Sequence, residues 1–394
     1  MFINTKLKSQ SVSAYFKSLG IKECQTKEDF WKHVTEVDPF LAKELQPIMD
    51  RKLKGNLYEV KNRTLPFSLA VESWTMNFHQ SLLHWISQQT HLKPKRILEI
   101  GCDNGLLSCW YATIFPDAEI VGIEQCGNGI QCAKQLAIKQ GLNNVSFYQM
   151  DFIEIAEHFS MNSFDLIISS RTFHEIMGPI MISNYWSLLE YLKENPTYGD
   201  SRYLEIVYRL LTEDGLYLSC EQLKNSADLG RWANVLQDAG FHIQWDDSGT
   251  IEYHEIGVDR LSPVIVATKR ETNLVETLEG MEHLYTKGYP LVFEEGRSYK
   301  GGTAEFAYER LGEKTFFTGI QLKVPNHWHV FRLEIWETDR FLLVYNYGNM
   351  GYHDLNILPA CAYEEAHRLM EEAVGEFGHL GPLVWYHNLD VRPE

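Results

Sequence analysis

Short apolar runs alternate with helical patterns through the first 270 residues of this chain. Residues 96–100 form the first run, and Gly101 and Gly105 separate it from apolar residues at helical spacing. Short runs separated by helices are typical of buried parallel strands. We predict further strands at residues 118–124, 145–150, 163–170, 215–221, 240–241 and 262–268. The pattern therefore predicts an α/β fold with a doubly wound, seven-stranded sheet.

The residues before the first strand carry helical patterns instead. Residues 29–34 and 40–49 place apolar side chains three to four positions apart, and residues 67–86 continue this spacing up to the first strand. We therefore predict that residues 1–65 form a helical cap over one end of the sheet domain at residues 66–270.

Beyond residue 270 the apolar residues alternate with polar ones. Alternation at 315–317, 328–336 and 340–347 predicts antiparallel strands, and residues 363–374 have helical spacing. We predict an α+β accessory module at residues 271–394.

Polar side chains stand where the predicted strands end. Glu124 ends the second strand, and Asp151 and Phe152 follow the third. In open α/β sheets the carboxyl ends of parallel strands meet at the edge that binds ligands. A carboxylate at Glu124 can accept hydrogen bonds from both hydroxyls of a ribose, and Asp151 can accept from the amine of an adenine. Gly101 and Gly105 would let the backbone approach such a ligand.

This series of motifs resembles the class I S-adenosylmethionine-dependent methyltransferases over roughly residues 70–270. The resemblance rests on residues 99–105 (Glu-Ile-Gly-Cys-Asp-Asn-Gly), Glu124, Asp151 and residues 164–170, in the family's order. It implies a Rossmann-like sheet, methyltransferase activity, S-adenosylmethionine as cofactor and S-adenosylhomocysteine as product. Asp103 departs from the glycine often found at its position, but aspartate tolerates the turn conformations found there.

The resemblance also implies which side chains bind this cofactor. Glu99 would lie near its amino group, although local backbone bonding would also explain a polar residue there. For Glu124 and Asp151 the alternative is an exposed acid or a helix cap. The expected cofactor residues are Glu99, Gly101, Cys102, Asp103, Gly105, Glu124, Gln125, Asp151, Phe152 and Ser169.

Two related functions fit the sequence poorly. The dinucleotide fingerprint Gly-x-Gly-x-x-Gly needs glycines where this chain has Asp103 and Leu106, which excludes a nicotinamide-dependent dehydrogenase. An Asn-Pro-Thr-Tyr sequence at 195–198 resembles the turn with which some methyltransferases grip a nucleic-acid base. It lies about 25 residues after the fourth strand, whereas the family places it directly there, so base methylation is disfavoured.

The methyl acceptor is expected beside the end of the fourth strand. A base there would take the acceptor's proton, and our candidates are His174 first, Glu175 second and Glu221 third. Each of them has a packing or hydrogen-bonding role as its alternative. The remaining expected acceptor contacts are Arg171, which would bind a carboxylate, Trp74, Phe78 and Tyr185. For Trp74 and Phe78 the favoured alternative is packing against the sheet, and for Tyr185 the alternative is a place in a helix core.

The charge distribution and the cysteines indicate which binding partners and which cell compartment to expect. The net charge of −17 divides into +4 for residues 1–63, −11 for 64–270 and −10 for 271–394, a distribution that disfavours nucleic acid. No run of eighteen apolar residues and no signal-peptide core is present, so we expect no membrane association. Seven cysteines without a Cys-x-x-Cys spacing predict reduced thiols, a cytoplasmic protein and no metal site.

The accessory module faintly resembles the WGR domain of nucleic-acid repair proteins. Residues 347–351 (Tyr-Gly-Asn-Met-Gly) stand where that family has Trp-Gly-Arg-x-Gly. Tyr347 and Asn349 replace its characteristic Trp and Arg, and the segment is acidic, so nucleic-acid binding is expected to be lost. We expect this module to serve partner docking or homodimer formation.

Three functional classes follow from these observations. The first is a methyltransferase that modifies nitrogen or oxygen of a small molecule, such as a metabolite, an amino-acid derivative or a natural-product intermediate. The second is a peptide or protein methyltransferase whose C-terminal module docks the polypeptide. The third is a nucleic-acid modifier or a cofactor-binding protein without catalysis.

Overall fold

The computed structural model describes residues 5–89, 91–178, 186–188, 191, 201–223, 225–271, 276–287 and 290–393. The chain divides into two compact units. Unit 1 comprises Met1–Gly178, Asp200–Gln222 and Ala239–Thr272, and unit 2 comprises Pro179–Gly199, Leu223–Asp238 and Asn273–Glu394. The last segment of unit 1 ends within two residues of the predicted boundary at 270, whereas the division has no boundary at 65. The reason for the latter is that Val12, Phe16 and Ile21 of the N-terminal region pack in the same core as the sheet of unit 1.

Unit 1 contains a mixed sheet, to which the described residues contribute eight strands. They are β1 (Arg96–Ile100), β2 (Glu119–Glu124), β3 (Val145–Gln149), β4 (Phe164–Ser170), β5 (Leu211–Cys220), β6 (His242–Ile243), β7 (Gly249–Glu255) and β8 (Val258–Thr268). Their order is β3-β2-β1-β4-β5-β8-β6, with β7 paired to β8. β1 to β5 are parallel, whereas β8 is antiparallel to β5 and β6. The predicted doubly wound sheet is confirmed.

Helices pack around this sheet. They are α1 (Thr5–Ser18), α2 (Lys27–Val37), α3 (Pro39–Met49), α4 (Leu57–Lys61), α5 (Leu65–Val71), α6 (Met76–Gln88), α7 (Leu106–Ile114), α8 (Gly127–Gln140), α9 (Ile155–His158), α10 (Phe173–Ile176) and α11 (Arg202–Leu210). Short 3₁₀ helices cover Glu72–Trp74 and Phe152–Glu154. The helical pattern at 67–86 is therefore two helices joined by a 3₁₀ turn. No helix in the described part of the chain is long and apolar enough to span a membrane.

The turn from β1 to α7 positions the candidate site. Ile97, Leu98 and Ile100 of β1 are buried, so the strand runs through the core and delivers the next residues to its edge. Gly105, the N-cap residue directly before α7, adopts the left-handed conformation, with φ +74°. A Cβ atom on Gly105 would lie 2.7 Å from the Cβ of Ala133 and 2.9 Å from Cζ of Phe147. Glycine is therefore required there for backbone conformation and for space.

We expect Gly105→Ala to lower the free energy of unfolding by about 2–4 kcal/mol. The left-handed conformation accounts for about 1 kcal/mol and the overpacking against α8 for about 1–3 kcal/mol. Gly141→Ala is the matched control, since Gly141 is also left-handed (φ +67°) but a Cβ there meets nothing within 4 Å. Urea unfolding of both variants measures the difference. Equal losses would show that the contacts of Gly105 are unimportant.

Unit 2 is an α+β module, as its alternating pattern predicts. Its strands are β9 (Ser298–Lys300), β10 (Thr315–Lys323), β11 (Val330–Glu337), β12 (Phe341–Gly348), β13 (Tyr352–Pro359) and β14 (Leu383–Tyr386). They form an antiparallel sheet in the order β14-β10-β11-β12-β13-β9. Its longer helices are α12 (Ser226–Asp238), α13 (Thr277–Thr286), α14 (Gly301–Arg310) and α15 (Tyr363–Phe377). The predicted strand pair β11–β12 and the predicted helix α15 are present, while the WGR resemblance stays a prediction.

Candidate functional site

A cleft of about 1040 Å³ in unit 1 lies at the carboxyl ends of β1 to β4. Parallel strands present their carboxyl ends at one edge, so residues that are distant in sequence meet there. Eleven of the predicted site residues line this cleft. They are Glu99, Gly101, Cys102, Asp103, Glu124, Gln125, Asp151, Phe152, Arg171, His174 and Glu175.

The Glu124 carboxylate is held by backbone groups at the end of β2. Oε1 accepts a hydrogen bond from the Cys126 amide at 2.8 Å, and Oε2 accepts one from the Asp103 amide at 3.2 Å. Burial raises the pKa of Glu124, whereas these amides favour its ionised form. Each carboxylate oxygen has a second lone pair. The Glu124 carboxylate is therefore held in a fixed orientation at the cleft wall, and each of its oxygens can accept a further hydrogen bond.

Asp151 is oriented in a similar way after β3. Oδ1 accepts from the Ile153 amide at 3.1 Å, and Oδ2 accepts from Nε2 of Gln125 at 3.1 Å. The Phe152 ring is buried and packs edge-on against Phe173. Asp151 caps the 3₁₀ helix that follows it, so its alternative role as a helix cap is present in the fold.

Glu99 is a buried carboxyl group beside the cleft. Its Oε2 accepts a hydrogen bond from the Ser108 hydroxyl. Burial raises the pKa of Glu99 to about 8, and the negative charges of Asp103 and Glu124 add to this effect. A bound ammonium group would supply a compensating positive charge, which fits the expected position of the cofactor's amino group.

Asp103 joins the glycine turn to the N-terminal helices. It adopts a left-handed conformation with φ +47°, and its carboxylate accepts hydrogen bonds from Nζ of Lys61 and, at 2.6 Å, from Nδ2 of Asn62. Lys61 also pairs with Oε1 of Glu72 at 2.6 Å. The departure from glycine at position 103 therefore creates a buried ionic network with α4 and the 3₁₀ turn after α5.

Lys61, Glu72 and His79 line the cleft but were not predicted. They lie on the N-terminal helices, far in sequence from the strand ends. The unusual aspartate at 103 was the available signal, since a charged side chain at a buried turn needs a partner.

Arg171 occupies the position expected for an acceptor-binding cation, but its guanidinium is already paired. Nη1 donates to Glu255 and Nη2 to the hydroxyl of Tyr253, both at 2.7 Å. The guanidinium also stacks 3.7 Å from the ring centre of Phe78. Its binding of an acceptor carboxylate stays a prediction that these contacts do not support. The partners lie on β7, which the sequence did not reveal.

His174 and Glu175 stand together on α10. Nε2 of His174 lies 3.3 Å from Oε1 of Glu175, and Nδ1 of His174 is buried without a hydrogen-bond partner among the described residues. The hydrogen bond from His174 lowers the pKa of Glu175. Both residues line the cleft, and their catalytic role stays a prediction.

Glu221 and Ser169 are buried and are not among the residues that line the cleft. Oε2 of Glu221 accepts the amides of Thr172 at 2.8 Å and Phe173 at 3.0 Å. Oε1 accepts the Ser169 hydroxyl at 2.6 Å. Glu221 therefore caps the start of α10, and we assign it no part in the proposed chemistry. Gly105 likewise shapes the turn without lining the cleft.

The predicted aromatic contacts also lie away from the cleft. Trp74 packs edge-on against Phe30 in a separate apolar cluster of the N-terminal helices. Phe78 is fully buried beneath Arg171. Tyr185 lies outside the described residues.

The described residues of this site include neither an activated cysteine nucleophile nor a group of metal ligands. Burial raises the pKa of the Cys102 thiol, so it is a poor nucleophile. The seven cysteines are unpaired. No group of three or more potential metal ligands occurs in the part of the chain that the structure describes.

Comparisons with known proteins match this part of the chain. A family model described as a methyltransferase domain matches residues 91–293, just over half of the 394 residues. A malonyl-[acyl-carrier protein] O-methyltransferase of Anoxybacillus flavithermus is 32% identical over 103 residues, covering 26% of this chain and 38% of that protein. The Paenibacillus enzyme of the same name is 26% identical over 170 residues, covering 41% and 60%. This chain thus spans less than two thirds of either relative.

Among solved structures, the CurJ carbon methyltransferase is similar to this chain at 13% identity. The match has a TM-score of 0.40 and covers 68% of this chain and 72% of that one.

Proposed function

We propose, because this chain belongs to the methyltransferase-domain family, that it uses S-adenosylmethionine to methylate a nitrogen or oxygen atom of a small molecule. The observation that carries the proposal is the placement of Glu99, Glu124 and Asp151 around one cleft at the carboxyl ends of β1, β2 and β3. The resemblance to class I methyltransferases assigns these three positions to the amino, ribose and adenine groups of a single cofactor.

In this proposal each side chain has a stated task. Glu124 accepts hydrogen bonds from the ribose hydroxyls, Asp151 accepts from the adenine amine, and Glu99 binds the ammonium group. The cofactor supplies a methyl group on a positively charged sulfur. Transfer of that group is an in-line displacement, so the chain's contribution is to orient the acceptor and exclude water.

The charge of the cleft favours a neutral or cationic acceptor. Its lining includes the carboxyl groups of Glu72, Glu99, Asp103, Glu124, Asp151 and Glu175. The lysine and arginine among the described lining residues, Lys61 and Arg171, are both paired with carboxylates. An acceptor with a free carboxylate would therefore find no unpaired Lys or Arg there.

A polypeptide acceptor is the second candidate. β14 lies at one edge of the sheet of unit 2, and Val384 and Trp385 on it are about half exposed. An extended peptide could pair with such an edge.

Homodimer formation through this module and a cytoplasmic location stay predictions.

A label-transfer screen tests the proposal. We expect the full-length protein to transfer labelled methyl from S-adenosylmethionine to small amines or phenols and not to simple carboxylic acids. Glu124→Ala is the control for non-enzymatic transfer. Label found only on added polypeptides would favour the second candidate, and no transfer to either class would contradict both.

A further inference from the structure

His79 lies on α6 with its ring lining the cleft, and it was not among the predicted site residues. We propose that Nε2 of His79 accepts the proton that the acceptor's O–H or N–H group loses during methyl transfer. This inference rests on the proposed function, because it assigns a task within the same cleft.

The surroundings of His79 fix which nitrogen carries the hydrogen. Nδ1 lies 3.4 Å from Oε2 of Glu72 and 3.5 Å from Oγ1 of Thr75. The Thr75 hydroxyl donates to the same Glu72 oxygen at 3.1 Å, so both neighbours present acceptor oxygens to Nδ1. Nδ1 therefore holds the hydrogen and Nε2 keeps a lone pair. The described residues give Nε2 no hydrogen-bond partner.

Glu72 is itself held in place, as a positioning residue must be. It is 3% exposed, and its Oε1 accepts from Nζ of Lys61 at 2.6 Å and from Nδ2 of Asn104 at 2.8 Å. Its Oε2 is left to Thr75 and His79. Glu72 would thus orient the imidazole of His79. The acidic residue of a catalytic triad orients its histidine in the same physical way.

The charges around His79 keep its ring neutral. Burial is the largest influence, and together with the positive charges of Arg171 and Lys61 it lowers the pKa of His79 to about 4, against the opposing charge of Glu72. The lone pair is thus available from acid to neutral pH. A weak base is sufficient when the acceptor proton becomes acidic as its atom bonds to carbon.

His79 also lies on the side of the cleft where the acceptor is expected. Arg171 directly follows β4, and its guanidinium stacks on Phe78, the residue before His79. Hydrogen bonds from Asn77 to the carbonyl of His254 and from Ser81 to that of Glu252 fix α6 against β7. α6 is therefore anchored beside the carboxyl end of β4.

The proposed step is balanced without a further reactant. The acceptor atom forms a bond to the methyl carbon while the bond between that carbon and sulfur breaks, and the electron pair of the broken bond stays on sulfur. The acceptor atom keeps the electrons of its O–H or N–H bond, and the proton passes to Nε2. The imidazolium then releases this proton to water.

The tautomer can be measured without any acceptor. In ¹⁵N-histidine spectra of the full-length protein, with His79→Asn for assignment, we expect a neutral ring protonated at Nδ1 from about pH 8 to about pH 5. A cationic ring in this range, or a ring protonated at Nε2, would overturn the inference.

The catalytic role is then tested by label transfer from S-adenosylmethionine to the panel of amines and phenols. We expect His79→Asn to lower the rate by about 10²- to 10⁴-fold, with unchanged affinity for S-adenosylhomocysteine and partial rescue by added imidazole. His84→Asn is the matched control, since His84 lies exposed on the same helix, and it should retain the full rate.

Three results contradict the inference in distinguishable ways. A full rate in His79→Asn would remove His79 from the chemistry and leave the proposed function intact. A loss of S-adenosylhomocysteine binding together with the rate would make the role of His79 structural. No transfer by the wild-type protein would contradict the proposed function, and the role of His79 with it.

Discussion

Replacing Lys61 with methionine is expected to lower the free energy of unfolding by about 3–5 kcal/mol. The Lys61 ammonium is about nine-tenths buried between the carboxylates of Glu72 and Asp103. Its removal leaves two carboxylates close together with little solvent. The penalty for uncompensated buried charge exceeds that for losing an exposed pair by several-fold.

Lys22→Met is the matched control for this variant. Lys22 pairs with Glu36 at 3.6 Å, and both side chains are more than half exposed. We expect that substitution to change stability by less than about 1 kcal/mol. Denaturant unfolding of the two variants compares them directly. Similar small losses for both would mean that the network around Asp103 contributes little to the fold.

Replacing Glu124 with alanine is expected to weaken S-adenosylmethionine binding by about 100-fold, or about 3 kcal/mol. The carboxylate would accept two hydrogen bonds from the ribose, and each bond to a charged acceptor contributes about 1.5–3 kcal/mol. Part of this is recovered when water fills the vacated space. Calorimetric titration of the variant measures the loss.

Two further variants separate ligand binding from a local structural effect. Glu124→Gln keeps the side-chain length but can accept at one oxygen only, so an intermediate loss is expected. Glu119→Ala lies at the other end of β2, where Glu119 is largely exposed and paired with Arg96, and it should bind normally. Equal affinity in Glu124→Ala and the wild type would contradict the ribose assignment.

The centre of the sheet was predictable because β1, β2 and β4 are buried over most of their length, so their sequences are short apolar runs. β1, β2 and β4 were placed to within a residue or two. β7 was missed because exposed polar residues, such as Glu252, interrupt its pattern. The boundary at residue 65 differs from the observed unit because α1 packs in the sheet's core, which spacing within α1 cannot reveal.

In the candidate site, too, some residues could be predicted from the sequence and others could not. Residues within a few positions of a strand end, such as Glu99, Glu124 and Asp151, reach the cleft because the strand delivers them there. Lys61 and His79 could not be found by this rule, since tertiary packing alone brings α4 and α6 to the cleft. Glu221, in contrast, was selected by this rule but does not line the cleft. It follows a strand directly, yet the start of α10 uses its carboxylate.

The most direct test of the central claim is calorimetric titration of the full-length wild-type protein with S-adenosylmethionine and S-adenosylhomocysteine. We predict one site per chain, with micromolar affinity for both ligands. We also predict that binding is weakened about 100-fold in Glu124→Ala and unchanged in Glu119→Ala. Absence of binding to the wild-type protein would contradict the assignment of this cleft as the cofactor site.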